Sequence, residues 1–400
     1  MILVLGVVGL LVFLQFYEEA FPGASLDFKL SPEDAFQEAG GYLEGLGHNV
    51  AEYESAQVFS RREMQQIFLE QTVGLEETNR LAGEWLSIWS WNVRWYRPLQ
   101  KEEYRVRLDP AGRIVGFEHR VLESDKGASL TEEDALPIAV RFLETVQRFP
   151  LSDYELIERS STERKARIDH TFTWRKNGFS VGEDGHYRLE VVVQGDGIGS
   201  FSEFLKVPES FSRNYTEVRA RANFLTQASA VFWVALAVAM VVVLLRHHKR
   251  DTLRWRTGLI LGGLVAVATA AAQINSLPML RYGFDTTESV GSFAVLLATI
   301  AILGGLLQGG LITLAGTSGN AIGRGVLSKR SPLGGFSLKG ILSRGFLRST
   351  LVGYGIAGIM LGYVTVFYII GSTYFGVWVP ADVSEYNNIF STAIPWIYPL

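Results

Sequence analysis

The chain has no cysteine, which excludes disulfides, thiolate metal sites and cysteine nucleophiles. Histidine is scarce: six in 400 residues, at positions 48, 119, 170, 186, 247 and 248. There is no basic excess either. Lys and Arg number 37 against 41 Asp and Glu, a formal net charge of −4, so no global positive field argues for nucleic acid. The most informative absence is local. Four long apolar runs contain no Asp, Glu, Lys, Arg or His. An ionisable group inside a membrane is functional by default, and these runs have none.

What is present divides the chain in two. The hydrophobic fraction is 48% and the charged fraction 20%, as a soluble domain joined to a membrane domain would give. Charges crowd into about the first 220 residues. The apolar runs cover residues 225–245 ("LTQASAVFWVALAVAMVVVLL"), 257–275, 290–316 and 350–371, each near the roughly 20 residues a span needs. Residues 389–400 read as a fifth span cut short, which completes a membrane domain over 225–400. Residues 2–17 form another apolar run. It lacks a basic leader and a small-x-small cleavage site, so residues 1–20 are expected to be an uncleaved anchor.

Lys and Arg in short loops set orientation. The 246–256 loop ("RHHKRDTLRWR") holds five, and the 317–349 loop holds six: Arg324, Lys329, Arg330, Lys339, Arg344 and Arg348. Of the intervening loops, 276–289 holds Arg281 alone and 372–388 holds none. The basic loops are therefore expected in the cytoplasm, and residues 20–224 outside a bacterial inner membrane, with lipid as a partner.

The charged part carries an internal repeat. Residues 31–43 ("SPEDAFQEAGGYL") and 131–143 ("TEEDALPIAVRFL") share Ser/Thr-x-Glu-Asp-Ala-Phe/Leu-x-x-Ala-x-x-Tyr/Phe-Leu at an offset of 100. Ser31 with Asp34, and Thr131 with Asp134, read as helix caps. Ala35, Phe36, Ala39 and Leu43, like Ala135, Leu136, Ala139 and Leu143, recur at helical spacing. Pro32 suits a first helical position, whereas Pro137 is expected to kink or delay its helix. Strands are expected over 88–96, 103–108 and 114–121, then over 154–159, 166–174 and 187–194. "DPAG" (109–112) and "QGDGIG" (194–199) read as turns. Helix then antiparallel strands, twice, makes a tandem α+β domain with repeats at 24–124 and 125–224, followed by an all-α multi-pass membrane domain. The charged stretch 202–222 leads back to the membrane, its later part expected to be a helix that feeds the next span.

Several stretches invite a chemical reading, and each has a plainer one. "EEYRVR" (102–107) has the Glu-Glu-x-x-x-Arg spacing of a membrane protease. Here Tyr104, Val106 and Leu108 alternate with Glu103, Arg105 and Arg107, the period of a strand. Glu102 and Glu103 would face opposite sides, and a solvated strand face is expected. His247 and Asp251 in "HHKRD" stand one helical turn apart, but Lys249 and Arg250 between them repel a cation; a topology-setting cluster is expected. Asp169, His170 and Trp174 in "RIDHTFTW", with His119 and His186, are expected to pack and hydrogen-bond. "GTSGNAIGRG" (316–325) resembles a phosphate cradle without its Gly-Lys-Ser/Thr ending, so a flexible loop is expected. Asn214 in "NYT" fits a glycosylation tripeptide, which is common by chance. The spans hold neutral polar groups only, among them Gln227, Gln273, Asn275 and Gln308. No residue is assigned as catalytic, cofactor-binding or metal-binding.

Four longer stretches resemble one family: "WNVRWYRPLQKEEYRVRLDPAGRIVGFEHRV" (91–121), "RIDHTFTW" (167–174), "YRLEVVVQGDGIGSFSEFLKVPES" (187–210) and "YFGVWVPADVSEYNNIFSTAIPW" (374–396). They are similar to bacterial CAAX-processing and bacteriocin-processing (CPBP) intramembrane metalloproteases that carry a PepSY-like region outside the membrane. The resemblance implies the N-terminal portion of a metallo-endopeptidase acting on a membrane-associated protein or peptide. It implies a divalent metal, expected to be zinc, held on membrane helices by Glu-Glu-x-x-x-Arg and later Phe-x-x-x-His and His-x-x-x-Asn/Asp motifs. None of these lies in a span here, so the chain is expected to be a fragment that stops ahead of the active site. Two rivals stand beside this reading. One is a non-enzymatic membrane sensor whose natural chain ends near Leu400. The other is a transporter, which the glycine-rich spans near 304–310 and 353–362 allow and the uncharged spans disfavour.

Overall fold

The structure is a computed structural model and describes residues 1–84, 86–182, 184–248, 255–326, 343–378 and 389–397. The chain begins with an apolar helix, α1 (Ile2–Gln15), and a single turn, α2 (Tyr17–Ala20). Helix α3 (Pro32–Gly45) is followed by β1 (Glu54–Arg61), the helices α4 (Glu63–Val73) and α5 (Leu75–Glu84), and the strands β2 (Trp89–Tyr96), β3 (Glu103–Leu108) and β4 (Ile114–Arg120). Helix α6 (Glu132–Arg141) opens a second half, with β5 (Tyr154–Glu163), β6 (Ile168–Lys176), β7 (His186–Gln194) and β8 (Gly197–Lys206).

Each half opens with a helix and supplies four antiparallel strands, and the first also carries α4 and α5. Both helices start by one device: the Asp34 amide donates to Ser31 Oγ at 3.1 Å, and the Asp134 amide to Thr131 Oγ1 at 3.2 Å. Each hydroxyl satisfies an amide that the first turn leaves open. The halves join into one eight-stranded sheet, ordered β1-β2-β3-β4-β8-β7-β6-β5, with Phe117 of β4 opposite Phe201 of β8. Ala35, Ala39 and Leu43 of α3 and Ala135 and Ala139 of α6 are fully buried in a single core with Phe117, Phe201 and Val191. The expected repeat boundary near residue 124 thus falls inside one sheet. Pro137 sits within α6 without delaying its start, and the helix passes into a π turn, Phe142–Val146.

Among the described residues four helices are long and apolar enough to cross a membrane: α7 (Glu209–His248), α8 (Trp255–Asn275), α10 (Val290–Val326) and α11 (Arg344–Phe375), with a short α9 (Leu277–Tyr282) between α8 and α10. Their apolar side chains face outward; Val231 and Val267 are each 71% exposed. Only Val207 and Pro208 separate β8 from the 40 residues of α7.

Two expectations need correction. Residues 316–325 are not a loop, because α10 continues to Val326 and buries Thr317, Ser318 and Asn320. Of the glycines there, Gly316 packs against Gly258 of α8, whereas Gly319 faces open space. Residues 389–397 do not begin a fifth spanning helix but form two 3₁₀ turns, Ile389–Ser391 and Pro395–Ile397. Asn275, at the end of α8, pins them: its Nδ2 donates to Ile394 O at 2.9 Å, and the Ile394 amide donates to its Oδ1 at 2.6 Å. The later part of 202–222 is helical as expected, forming the first turns of α7, where Asn214 is exposed; its start is the end of β8. Of "HHKRD", His247 and His248 end α7, while Lys249, Arg250 and Asp251 lie outside the described residues.

Two helix pairs cross through glycine. Gly6 and Gly9 of α1 meet Gly355, Gly358 and Gly362 of α11; a β-carbon on Gly362 would lie 2.6 Å from Gly9 Cα, and one on Gly358 would collide with the Gly6 carbonyl. Gly258 and Gly262 of α8 meet Gly309, Thr313 and Thr317, every fourth residue of α10. In lipid such small residues let backbones approach, and the gain is van der Waals contact. Gly358→Ala is therefore expected to lower the melting temperature in detergent, at about 1–3 kcal/mol of overpacking. Gly353→Ala, whose β-carbon meets nothing within 4 Å, should leave it nearly unchanged. Equal melts for the two variants would show that α1 and α11 do not cross here.

Candidate functional site

The alternation of β3 sends Tyr104, Val106 and Leu108 into the core and Glu103, Arg105 and Arg107 to the opposite face. That face is not solvated as expected: Glu103 is only 2% exposed. Its neighbours are strands β2 and β4 and the turn 282–287 between α9 and α10. A carboxylate taken out of water needs partners, and Glu103 has three guanidiniums. Arg94 Nε donates to Glu103 Oε2 at 2.7 Å. Arg105 Nη2 and Arg120 Nη1 stand 2.9 Å and 2.8 Å from Oε1. Strand register brings them together: Glu103 lies opposite Arg120, and Arg94 opposite Arg105.

Arg94 has a second set of partners. Its Nη1 donates to the carbonyls of Tyr282 and Phe284, both at 2.7 Å. Beside them Ala56 and Tyr96 form a small separate core with Phe284, the two rings 5.5 Å apart. A further tie lies at the sheet edge, where the Phe59 amide of β1 donates to Ser391 Oγ at 2.7 Å and Phe390 packs on Phe28 and Phe59. Both contacts tie the sheet to the helical part. Between β3, β4 and the turn 282–287 remains an open cavity of about 1160 Å³.

Glu102 bonds to a different set. It accepts from Tyr53 Oη at 2.8 Å and Tyr104 Oη at 3.1 Å, and lies 3.0 Å from His119 Nε2. Burial opposes its ionisation, yet these bonds together hold its carboxyl below the usual range. Burial and the Glu102 charge push the Tyr104 hydroxyl up. His119 stacks on Tyr104 and stands 5.0 Å from His48, whose imidazole is pulled down by burial and by His119. Glu102 and Glu103, adjacent in sequence, therefore serve separate clusters.

Sequence reasoning missed a second buried carboxylate, Glu203. Ser87 Oγ donates to its Oε1 at 2.5 Å; Tyr187 Oη and Arg113 Nη1 donate to its Oε2 at 2.7 Å and 2.6 Å. Arg62 donates to its backbone carbonyl, and burial with the neighbouring Arg107 pulls that guanidinium down to about 9. A signal existed: Phe201, Glu203 and Leu205 alternate on β8, which puts an acid on an apolar face. The remaining candidates have packing roles. His170 bonds Ser161 Oγ and Leu130 O, Asp169 pairs with Arg164 and Arg167, and Trp174 is buried in the core. His186 opens β7. Among the described residues no group of three or more His, Asp or Glu could hold a metal.

Arg94→Ala removes one partner of a buried carboxylate and both bonds to the turn. It is expected to cost about 3 kcal/mol in a thermal or denaturant melt and to open residues 282–287 to proteolysis. A variant as stable and as resistant as the parent would mean that Arg94 does not hold the two parts together.

Comparison of the chain with protein-family models, with curated proteins and with solved structures finds no match in any of the three.

Proposed function

We propose that the chain is the amino-terminal part of a bacterial CPBP-type intramembrane metallo-endopeptidase. Its sheet domain is a PepSY-like outer module that regulates the membrane core or recruits its substrate, a membrane-associated protein or peptide. The observation that carries this reading is the combination, in one chain, of two sheet-forming halves, each opening on a capped helix, with four apolar helices, the turn before α10 being tied to the sheet through Arg94. The stretches that resemble the family include β2 to β4, which build the Arg94–Glu103 cluster, and residues 389–396, which touch β1. In this reading the sheet lies outside the inner membrane and the basic loops at 246–256 and 317–349 face the cytoplasm, supported by eleven Lys and Arg in those loops against one in the others. The described residues supply no metal-binding group, so zinc is assigned to none of them and no catalytic step is derived through it.

Two measurements test the reading. The genomic frame beyond the Leu400 codon should continue into an apolar span with Glu-Glu-x-x-x-Arg, followed by the His motifs. A stop codon there, or a continuation without those motifs, overturns the protease and leaves a membrane sensor. Orientation can be read directly because the chain has no cysteine. In intact cells Lys126→Cys should react with a membrane-impermeant maleimide and Arg348→Cys should not; the reverse pattern inverts the topology.

A further inference from the structure

We propose that the cavity between the sheet and the turn 282–287 holds the phosphate of an anionic phospholipid headgroup. The proposal does not depend on the protease reading. The cavity, about 1160 Å³, is large enough for a headgroup. One wall is the turn that leads into α10 at Val290, so it lies where an apolar helix begins. The opposite wall is the face of β3 and β4 that carries Arg105 and Arg120, with Lys101 at its edge.

The acids lining the cavity already have donors. Glu103 stands within ion-pair distance of three guanidiniums, with Arg94 donating to its Oε2 and Oε1 lacking a hydrogen-bond donor among the described residues, and Glu102 has Tyr53, Tyr104 and His119. Asp125 accepts the Leu122 amide at 3.0 Å, and Asp285 accepts the amide and hydroxyl of Thr287. On the cationic side, donor capacity remains. Arg105 Nε is buried with no acceptor among the described residues, while the same guanidinium lies 6.0 Å from the Tyr282 ring. The Arg105 side chain is 30% exposed, so part of its guanidinium faces the cavity and can donate to a phosphate oxygen. The planar fork of arginine matches phosphate geometry, and an exposed lysine adds a mobile charge.

The apolar rim selects a lipid over free phosphate. Leu99, 68% exposed, and Leu122, 47% exposed, both line this cavity beside the basic groups. Leu99 is also held at φ 61°, an unfavourable backbone for a leucine. Exposed leucines next to Arg and Lys, at the mouth of an apolar helix, match an interface where acyl chain and headgroup meet.

The test uses the purified chain in neutral detergent, titrated with short-chain phosphatidylglycerol and, separately, with glycerol phosphate. Binding is read by native mass spectrometry and by thermal shift. Phosphatidylglycerol should bind and raise the melting temperature, and glycerol phosphate should do neither at the same concentration. Arg105→Gln and Lys101→Gln should each weaken phosphatidylglycerol by about tenfold. Lys101 is exposed, so its variant tests the site without threatening the fold. Leu99→Ser should weaken the lipid as well. Glycerol phosphate binding as well as the lipid would overturn the lipid source. Lipid binding unchanged in both the Lys101 and Arg105 variants, or no binding at all, would overturn the site.

Discussion

A carboxylate beneath a protein surface must be matched by charge and hydrogen bonds, and Glu103 imposes that condition on this molecule. Its partners come from three strands, so the condition fixes the register of β2, β3 and β4 on their outer face. Because Arg94 also grips the carbonyls of Tyr282 and Phe284, it fixes where the sheet stands on the helices. The apolar contact around Phe284 is small. Directional bonds rather than buried area therefore set the junction. That is the expected regime for two parts of a chain that were not made as one core.

A second buried acid plays the matching part on the inner face. Ser87 and Arg113 come from the first half of the sheet domain, Tyr187 and Glu203 from the second. Neither half alone could satisfy that carboxylate. Together with the Phe117–Phe201 seam, the cluster explains why two similar halves form one body with one core.

Much of this architecture is written locally. The caps at Ser31 and Thr131, the four-residue recurrence of alanine behind them, the alternation in β2 to β4 and the hydropathy of the spans all lie within short windows. What escaped the sequence is non-local or ambiguous. Strand β1, "ESAQVFSR", is too polar to announce itself, and it is buried because β2 and the 389–391 turn cover it. The charges of β3 read as solvated because the turn that covers them lies about 180 residues further on. The glycines at 316–325 read as a loop in the idiom of soluble proteins, whereas Thr317 and its neighbours pack against α8 in the idiom of membrane helices. The site followed the same rule: its residues were visible, but their covering was not.

The join between β8 and α7 has a mechanical meaning. Strand β8 is central in the sheet, and its two-residue link to α7 includes Pro208, whose ring fixes one of the few free torsions. Strand and helix therefore form a stiff arm. At about 1.5 Å per residue, α7 is roughly 60 Å long, about twice the hydrocarbon thickness it would cross. A tilt of the sheet by about 5° would swing the far end of that arm by about 5 Å. A load on the sheet is thereby passed along α7 as leverage on its far end.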